Sequence, residues 1–236
     1  TFADISQRGN GVRQQQFGTE LWFDRGSAGY AINAQNDAVN DFADIVSSSL
    51  PEGYADNAYA FSRAAFDYMH AMISYDREAP EPPRSGPECL TASTGDCDEQ
   101  TSAYFSILRA RGVPGWYAYG ILGDPFFSDE GWEAHAWGYI QLPLSDSWCE
   151  ERNIVLQTCF VEAQVDVVNN KWLLSTPTAY IDWIEKHDPS FELLNKYFRP
   201  LSGDGDAGRG QPDFATLGTV EITGGTYKVK KYAEAF

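Results

Sequence analysis

One short run, Thr94-Gly95-Asp96-Cys97-Asp98-Glu99-Gln100-Thr101, sets the terms on which this chain can fold. A turn residue and a capping-type Asp precede a helical periodicity that ends at Arg111-Gly112-Val113-Pro114, so one thiol falls in the first turn of a helix. Thr101, Tyr104, Phe105 and Leu108 share one stripe of that helix, Gly112 is placed to cap it, and Pro114 forbids its continuation. The helix should therefore be buried. Backbone N–H groups in a first turn are unpaired and the dipole end is positive, which stabilises a thiolate and makes the sulfur a usable nucleophile. Ala134-His135-Ala136-Trp137 follows in an aromatic, strand-like stretch and offers the imidazole that a thiol nucleophile needs.

At 236 residues the chain can bury a full core, and 43% hydrophobic with 14% aromatic residues argues for a folded globule. With 34 Asp and Glu against 17 Lys and Arg, the net charge of −17 would repel nucleic-acid phosphates and anionic membrane surfaces. Nucleic acid is therefore not an expected partner. The same excess suits a protein kept soluble in high salt. No segment reaches the 18 or so apolar residues that span a bilayer, so membrane insertion by this segment is not expected. A start at Thr1 without Met fits a processed chain or a fragment of a longer, even membrane-anchored, protein, and an extracytoplasmic or cell-surface setting is favoured.

Four cysteines, Cys89, Cys97, Cys149 and Cys159, are too few for a disulfide-built fold and lack zinc-ligand spacing, so neither metal nor cofactor is expected. Cys149 and Cys159 flank a ten-residue excursion between strand-like runs, where a disulfide would close a hairpin in an oxidising compartment. Cys89 reads as a small buried hydrophobe, with a redox lock on Cys97 as the sharper alternative. His70 and His187 have no acidic or thiol partner at motif spacing and read as structural.

Periodicity predicts helices over 36–46 and 55–74, the second with Ala60, Ala64, Met69 and Ile73 on one face, then a proline-rich extended connection over 75–87. Strands are expected at 115–122, 134–142 and 154–166, forming an antiparallel meander against the Cys97 helix. The acidic, aromatic stretch 123–132 suits a cleft-lining loop, and Trp116, Trp132 and Trp137 read as core and substrate-cleft wall. Residues 1–30 read as an irregular arm with a strand near 20–24, 178–186 as a further helix, 202–212 as a Gly- and Asp-rich linker and 214–232 as a terminal strand pair.

Gly95-Asp96-Cys97-Asp98, then Arg109-Ala110-Arg111-Gly112-Val113-Pro114, then His135-Ala136-Trp137, resemble in kind and order the transglutaminase-like family of papain-type cysteine enzymes. Pro87-Glu88-Cys89-Leu90 resembles the segment that leads into that family's nucleophile helix. The resemblance covers roughly 87–170 and implies an α+β fold, a nucleophile helix packed on an antiparallel sheet with additional N-terminal helices. The implied organisation is an arm over 1–35, a transglutaminase-like catalytic core over 36–200 and a C-terminal loop and strand pair over 201–236. It also implies a Cys-His-acid triad, with Cys97 as nucleophile and His135 as base. Register points to Glu162 as the acid, because 154–162 matches the reach of 135–142, whereas residue type and the turn at Asn169-Asn170 point to Asp166. The backbone N–H of Cys97 is placed to receive the oxyanion, and Tyr75 or Thr91 could supply a second donor.

The chemistry that follows is attack of a thiolate on an amide carbonyl of a protein or peptide substrate, with a thioester intermediate. Resolution by water makes an amide or isopeptide hydrolase, and that is the leading expectation. Resolution by a Lys amine makes a cross-linking acyl transferase. A non-catalytic binding module of the same fold is the alternative of a different class.

Overall fold

The computed structural model describes residues 1–8, 31–80, 83–122, 133–174 and 180–183. The helices in chain order are α1 (Phe2–Arg8), α2 (Asp37–Ser49), α3 (Ala58–Met72), α4 (Gly86–Ala92), α5 (Cys97–Ala110) and α6 (Asp146–Glu151). The strands are β1 (Ser74–Tyr75), β2 (Thr94–Gly95), β3 (Gly115–Leu122), β4 (Glu133–Pro143), β5 (Phe160–Asp166), β6 (Lys171–Leu174) and β7 (Tyr180–Trp183). Strands β3 to β7 form one antiparallel sheet in the order β6-β5-β4-β3-β7, and β1 pairs in parallel with β2. This is an α+β arrangement in which α5 packs on β3 and β4 and is enclosed by α2, α3 and α4.

Local sequence explains most of the helix ends. Asn36 and Asn57 cap α2 and α3 by accepting from the N–H of Ala38 and Ala60, both at 2.9 Å. α5 ends in a Schellman motif, with Val113 N–H bonding the Leu108 carbonyl, Gly112 N–H bonding that of Arg109, and Gly112 at φ 72°. The buried face of α3 consists of Ala58, Phe61, Ser62, Ala65, Phe66 and Met69, one step round from the stripe the periodicity suggested. The aromatic rings decide the difference, because Phe61 and Phe66 bury far more apolar area than Ala60 and Ala64 could.

Four expectations need correction. Residues 2–8 are helical rather than irregular; Ile5 is fully buried and Phe2 meets Phe61 edge-on at 5.4 Å, so a short amphipathic turn is held by the core. The connection after Tyr75 does not stay extended to Pro87, since α4 begins at Gly86 behind a Ser85–Glu88 capping box with Pro87 in its first turn. The strand expected from 154 begins only at Phe160. Before it come α6, capped by Ser145, and a 3₁₀ turn over Leu156–Thr158, because the Cys149–Cys159 disulfide folds these residues back. The helix expected over 178–186 is a strand over Tyr180–Trp183, paired with β3 from Tyr119 to Leu122. Its aromatic and β-branched residues suit a ladder, and they cover an edge of β3 that would otherwise present unpaired N–H and C=O groups.

The strand near 20–24, the loop 123–132, the linker 202–212 and the pair 214–232 lie outside the described residues. Among the described residues no helix is long and apolar enough to cross a membrane.

Close approach of α4 to α5 depends on Gly86. A Cβ there would stand 2.6 Å from the Ser102 carbonyl oxygen, a backbone atom that cannot give way. Gly86→Ala is expected to lower the free energy of unfolding by about 1–3 kcal/mol, read as a fall in the urea midpoint at unchanged slope.

Candidate active site

The first turn of α5 is assembled from both sides. Asp96 accepts from Glu99 N–H at 3.4 Å while the Glu99 carboxylate accepts from Asp96 N–H at 3.2 Å, a reciprocal capping box that fixes the backbone on either side of Cys97. Glu99 is itself fully buried and is held by Arg84, whose backbone N–H reaches it at 2.6 Å and whose guanidinium reaches it at 3.0 Å. Arg84 also binds Asp76 at 3.0 Å, so one cation ties the connection after β1 to the start of α5. Burial pushes the Glu99 carboxyl above the usual carboxylate range, against the opposing pull of the Arg84 backbone N–H.

Cys97 is half-buried against the core. One turn later, Thr101 donates its hydroxyl to the Cys97 carbonyl at 2.6 Å and reaches the Ala136 carbonyl at 3.4 Å. Ala136 is the neighbour of His135 on β4. The start of α5 therefore abuts the stretch of strand that carries the imidazole.

His135 is buried, and its Nε2 lies 2.7 Å from Oδ2 of Asp166, which is also buried. With Nε2–H donating to the carboxylate, Nδ1 is the nitrogen left for a proton to arrive or leave. Trp137 stacks on the imidazole with centroids 5.8 Å apart and planes 19° apart. It is fully buried, so it supports the ring from within instead of forming an open cleft wall. Asn169, in the turn after β5, donates its side-chain amide to Asp166 Oδ2 at 2.8 Å and its backbone N–H to Oδ1 at 3.1 Å.

Of the two acids, Asp166 is the one whose carboxylate is described against His135. The backbone of Glu162 pairs with Gln141, six residues beyond His135 on β4. That is roughly 20 Å of strand, beyond the reach of a carboxylate. β5 starts at Phe160 and not at residue 154, which removes the match in reach that favoured Glu162.

Tyr75 pairs with Gly95, two residues before Cys97, with its ring half exposed, so it stays near the helix start. Thr91 donates its hydroxyl to the Pro87 carbonyl within α4, which commits its proton elsewhere. Trp116 lies on β3 opposite Tyr139, and Trp132 and His187 lie outside the described residues. His70 is exposed in the last turn of α3. Cys89 is buried and reduced, and burial raises its pKa well above that of an ordinary thiol, which suits a packed residue and not a partner for Cys97. Cys149 and Cys159 are disulfide-bonded, although the chain between them holds the end of α6 and a 3₁₀ turn and not a simple hairpin loop.

Sequence reasoning missed Arg84 and the stacked role of Trp137, and it placed Asn169 in the turn behind Asp166 without its bonds to the carboxylate. Only Asn169 had a legible signal, an Asx-type spacing of three from Asp166.

A helix that opens on a cysteine, seated on an antiparallel sheet beside a paired histidine and aspartate, is an arrangement of the cysteine-enzyme kind. Residues 48–150 match the family model described as the Transglutaminase-like superfamily. Over those residues the chain is similar to that superfamily, and its fold is transglutaminase-like. The matched span holds Cys97 and His135 and ends before Asp166. Among solved structures, the chain is similar to one named "Putative Cysteine Protease" from Cytophaga hutchinsonii, at 16% identity and a TM-score of 0.40. The similarity covers 77% of this chain and 60% of that one, so this chain spans less than two thirds of that protein's length. No curated protein is significantly similar to the chain.

The buried Glu99 gives a stability test of the site's foundation. Its folded pKa lies above its unfolded value, so the stability linked to its protonation is present at low pH and is lost as pH rises through the folded value. Arg84→Ala removes the compensating cation and is expected to cost about 3 kcal/mol at pH 7. The cost should be smaller at a pH where Glu99 is protonated in the folded state, as read from urea unfolding at the two pH values.

Proposed function

We propose that this protein is a cysteine-dependent hydrolase of amide or isopeptide bonds, in which Cys97 is the nucleophile, His135 the general base and acid, and Asp166 the orienting carboxylate. The observation that carries the reading is the 2.7 Å contact between His135 Nε2 and Asp166 Oδ2 at the point where the Cys97 helix meets β4. The carboxylate fixes one imidazole tautomer and stabilises the imidazolium formed when the thiol gives up its proton.

In the acylation half, the Cys97 sulfur forms a bond to the substrate carbonyl carbon and the carbonyl π electrons move to oxygen. The resulting oxyanion is received by the Cys97 backbone N–H, with Tyr75, whose strand pairs with Gly95 just before the helix, as the candidate second donor. Collapse breaks the C–N bond, and the proton held by His135 passes to the departing nitrogen. In the second half, water loses a proton to His135, attacks the thioester carbonyl and releases the acid and the Cys97 thiolate. The substrate is a protein or peptide. The disulfide at Cys149–Cys159 supports an extracytoplasmic or cell-surface site of action.

Alkylation by iodoacetamide near pH 7 is expected to modify Cys97 far faster than Cys89, and His135→Ala should remove the advantage. Equal rates at the two free thiols would leave an inert module of this fold and sink the enzyme. Asp166→Asn, which keeps the shape and presents the wrong tautomer partner, should lower turnover by on the order of 10³–10⁴-fold, measured as ammonia or amine release from a panel of glutamine-containing and isopeptide-linked peptides. With a labelled amine present, ammonia release without incorporation is the hydrolase result, and incorporation would reassign the protein to acyl transfer.

A further inference from the structure

We infer that Asn169 is a positioning residue for the reaction, a two-point clamp that holds the Asp166 carboxylate in the one orientation that fixes the His135 tautomer. The inference rests on the proposed Cys97–His135–Asp166 reading and adds to it a residue whose role is to align a carboxylate.

The geometry is specific. Asp166 has two carboxylate oxygens, and Asn169 donates to both, through its backbone N–H to Oδ1 at 3.1 Å and through its side-chain amide to Oδ2 at 2.8 Å. His135 shares Oδ2 at 2.7 Å. The Asn169 amide nitrogen also lies 3.3 Å from His135 Nε2. Both nitrogens are donors once Nε2 carries its proton, so this contact is not a further bond; each points its hydrogen at the same oxygen. A carboxylate held at both oxygens cannot turn about its terminal torsion, which is otherwise broad and roughly two-fold. Without that constraint the imidazole could flip its protonated nitrogen away, and the neutral tautomer would become mixed.

The turn delivers the amide to this place. Asp166 ends β5, the Asn170 N–H bonds the Val167 carbonyl at 3.2 Å, and Asn170 takes a left-handed conformation at φ 51° that lets β6 begin at Lys171. Asn tolerates that conformation better than most residues. The two asparagines thus divide the work: Asn170 makes the reversal and Asn169 faces the carboxylate. This separation allows a control, because Asn170→Ala perturbs the turn without touching Asp166.

The test has two readouts on the full chain. In a Cys97→Ala background, ring nitrogen shifts of His135 report its tautomer without any need for activity, and a single Nε2–H form is expected. Asn169→Ala in that background should give a mixed tautomer. With Cys97 intact, it should slow iodoacetamide alkylation of Cys97 by at least roughly tenfold. Asn169→Leu, of similar volume and with no donor, should do the same and serves where the alanine variant fails to fold. Asn170→Ala should lower stability and leave tautomer and alkylation rate as in the parent. An unchanged tautomer and rate in both Asn169 variants would overturn the clamp, as would an Asn170→Ala variant that reproduces their effects. If the parent shows no accelerated alkylation of Cys97, the proposed function fails, and the tautomer measurement still decides whether Asn169 sets the imidazole.

Discussion

Everything at the site depends on burying a polar helix. From Asp98 to Arg109 every residue of α5 is buried, including Asp98, Glu99, Gln100, Thr101, Ser102, Ser106 and Arg109. Polar groups at such positions are costly unless each finds a partner. Ser102 and Ser106 bond back to the carbonyls of Asp98 and Ser102, Gln100 bonds the Gly95 carbonyl at 2.7 Å, and Arg109 bonds that of Gly115 at 3.1 Å. An apolar helix in the same slot could slide by a fraction of a turn at small cost. This one cannot move without breaking the bonds that tie it to its neighbours, from the Tyr104 hydroxyl to the Ser62 carbonyl, from Asn33 N–H to the Ser106 hydroxyl and from the Arg84 guanidinium to Glu99, each at 3.0 Å, so polar contacts at both ends fix the height of Cys97 relative to β4.

The same reasoning explains what could be read from the chain and what could not. α5 was legible because its cap, its apolar stripe and its stop at Gly112-Val113-Pro114 all agree, and β3 and β4 because aromatic and β-branched residues sit between clear turns. β7 was not legible. Tyr180, Ile181, Trp183 and Ile184 fit a helical spacing, and only the unpaired edge of β3, a feature of tertiary structure, decides for a strand. The start of α4 was legible in principle, since Ser85 and Glu88 form a capping box around Pro87, but the density of prolines before it masked the signal.

The acid shows where single-sequence register reasoning breaks. Counting from residue 154 placed Glu162 level with the histidine, whereas β5 begins six residues later, at Phe160. Residue type pointed to Asp166, and the turn rich in asparagine behind it offers donors that a carboxylate at a strand end can use. The aspartate's identity as the contact to His135 thus follows from chemistry local to the β5–β6 turn, whereas the distance argument needed the whole hairpin.

That hairpin links the disulfide to the site. β4 and β5 pair from Pro143 and Phe160 at one end to Gly138 and Val165 at the other, and the Cys149–Cys159 bond closes the chain just beyond the first of these pairs. A slip of one residue in an antiparallel ladder turns every side chain to the opposite face. Such a slip would carry Asp166 away from His135 altogether. By tying residue 159 to residue 149, the disulfide removes most of the alternative registers before pairing begins, since only a short closed segment separates the two strands. The covalent bond lies at the far end of the hairpin from the chemistry, yet it restricts the alignment on which the histidine–aspartate contact depends.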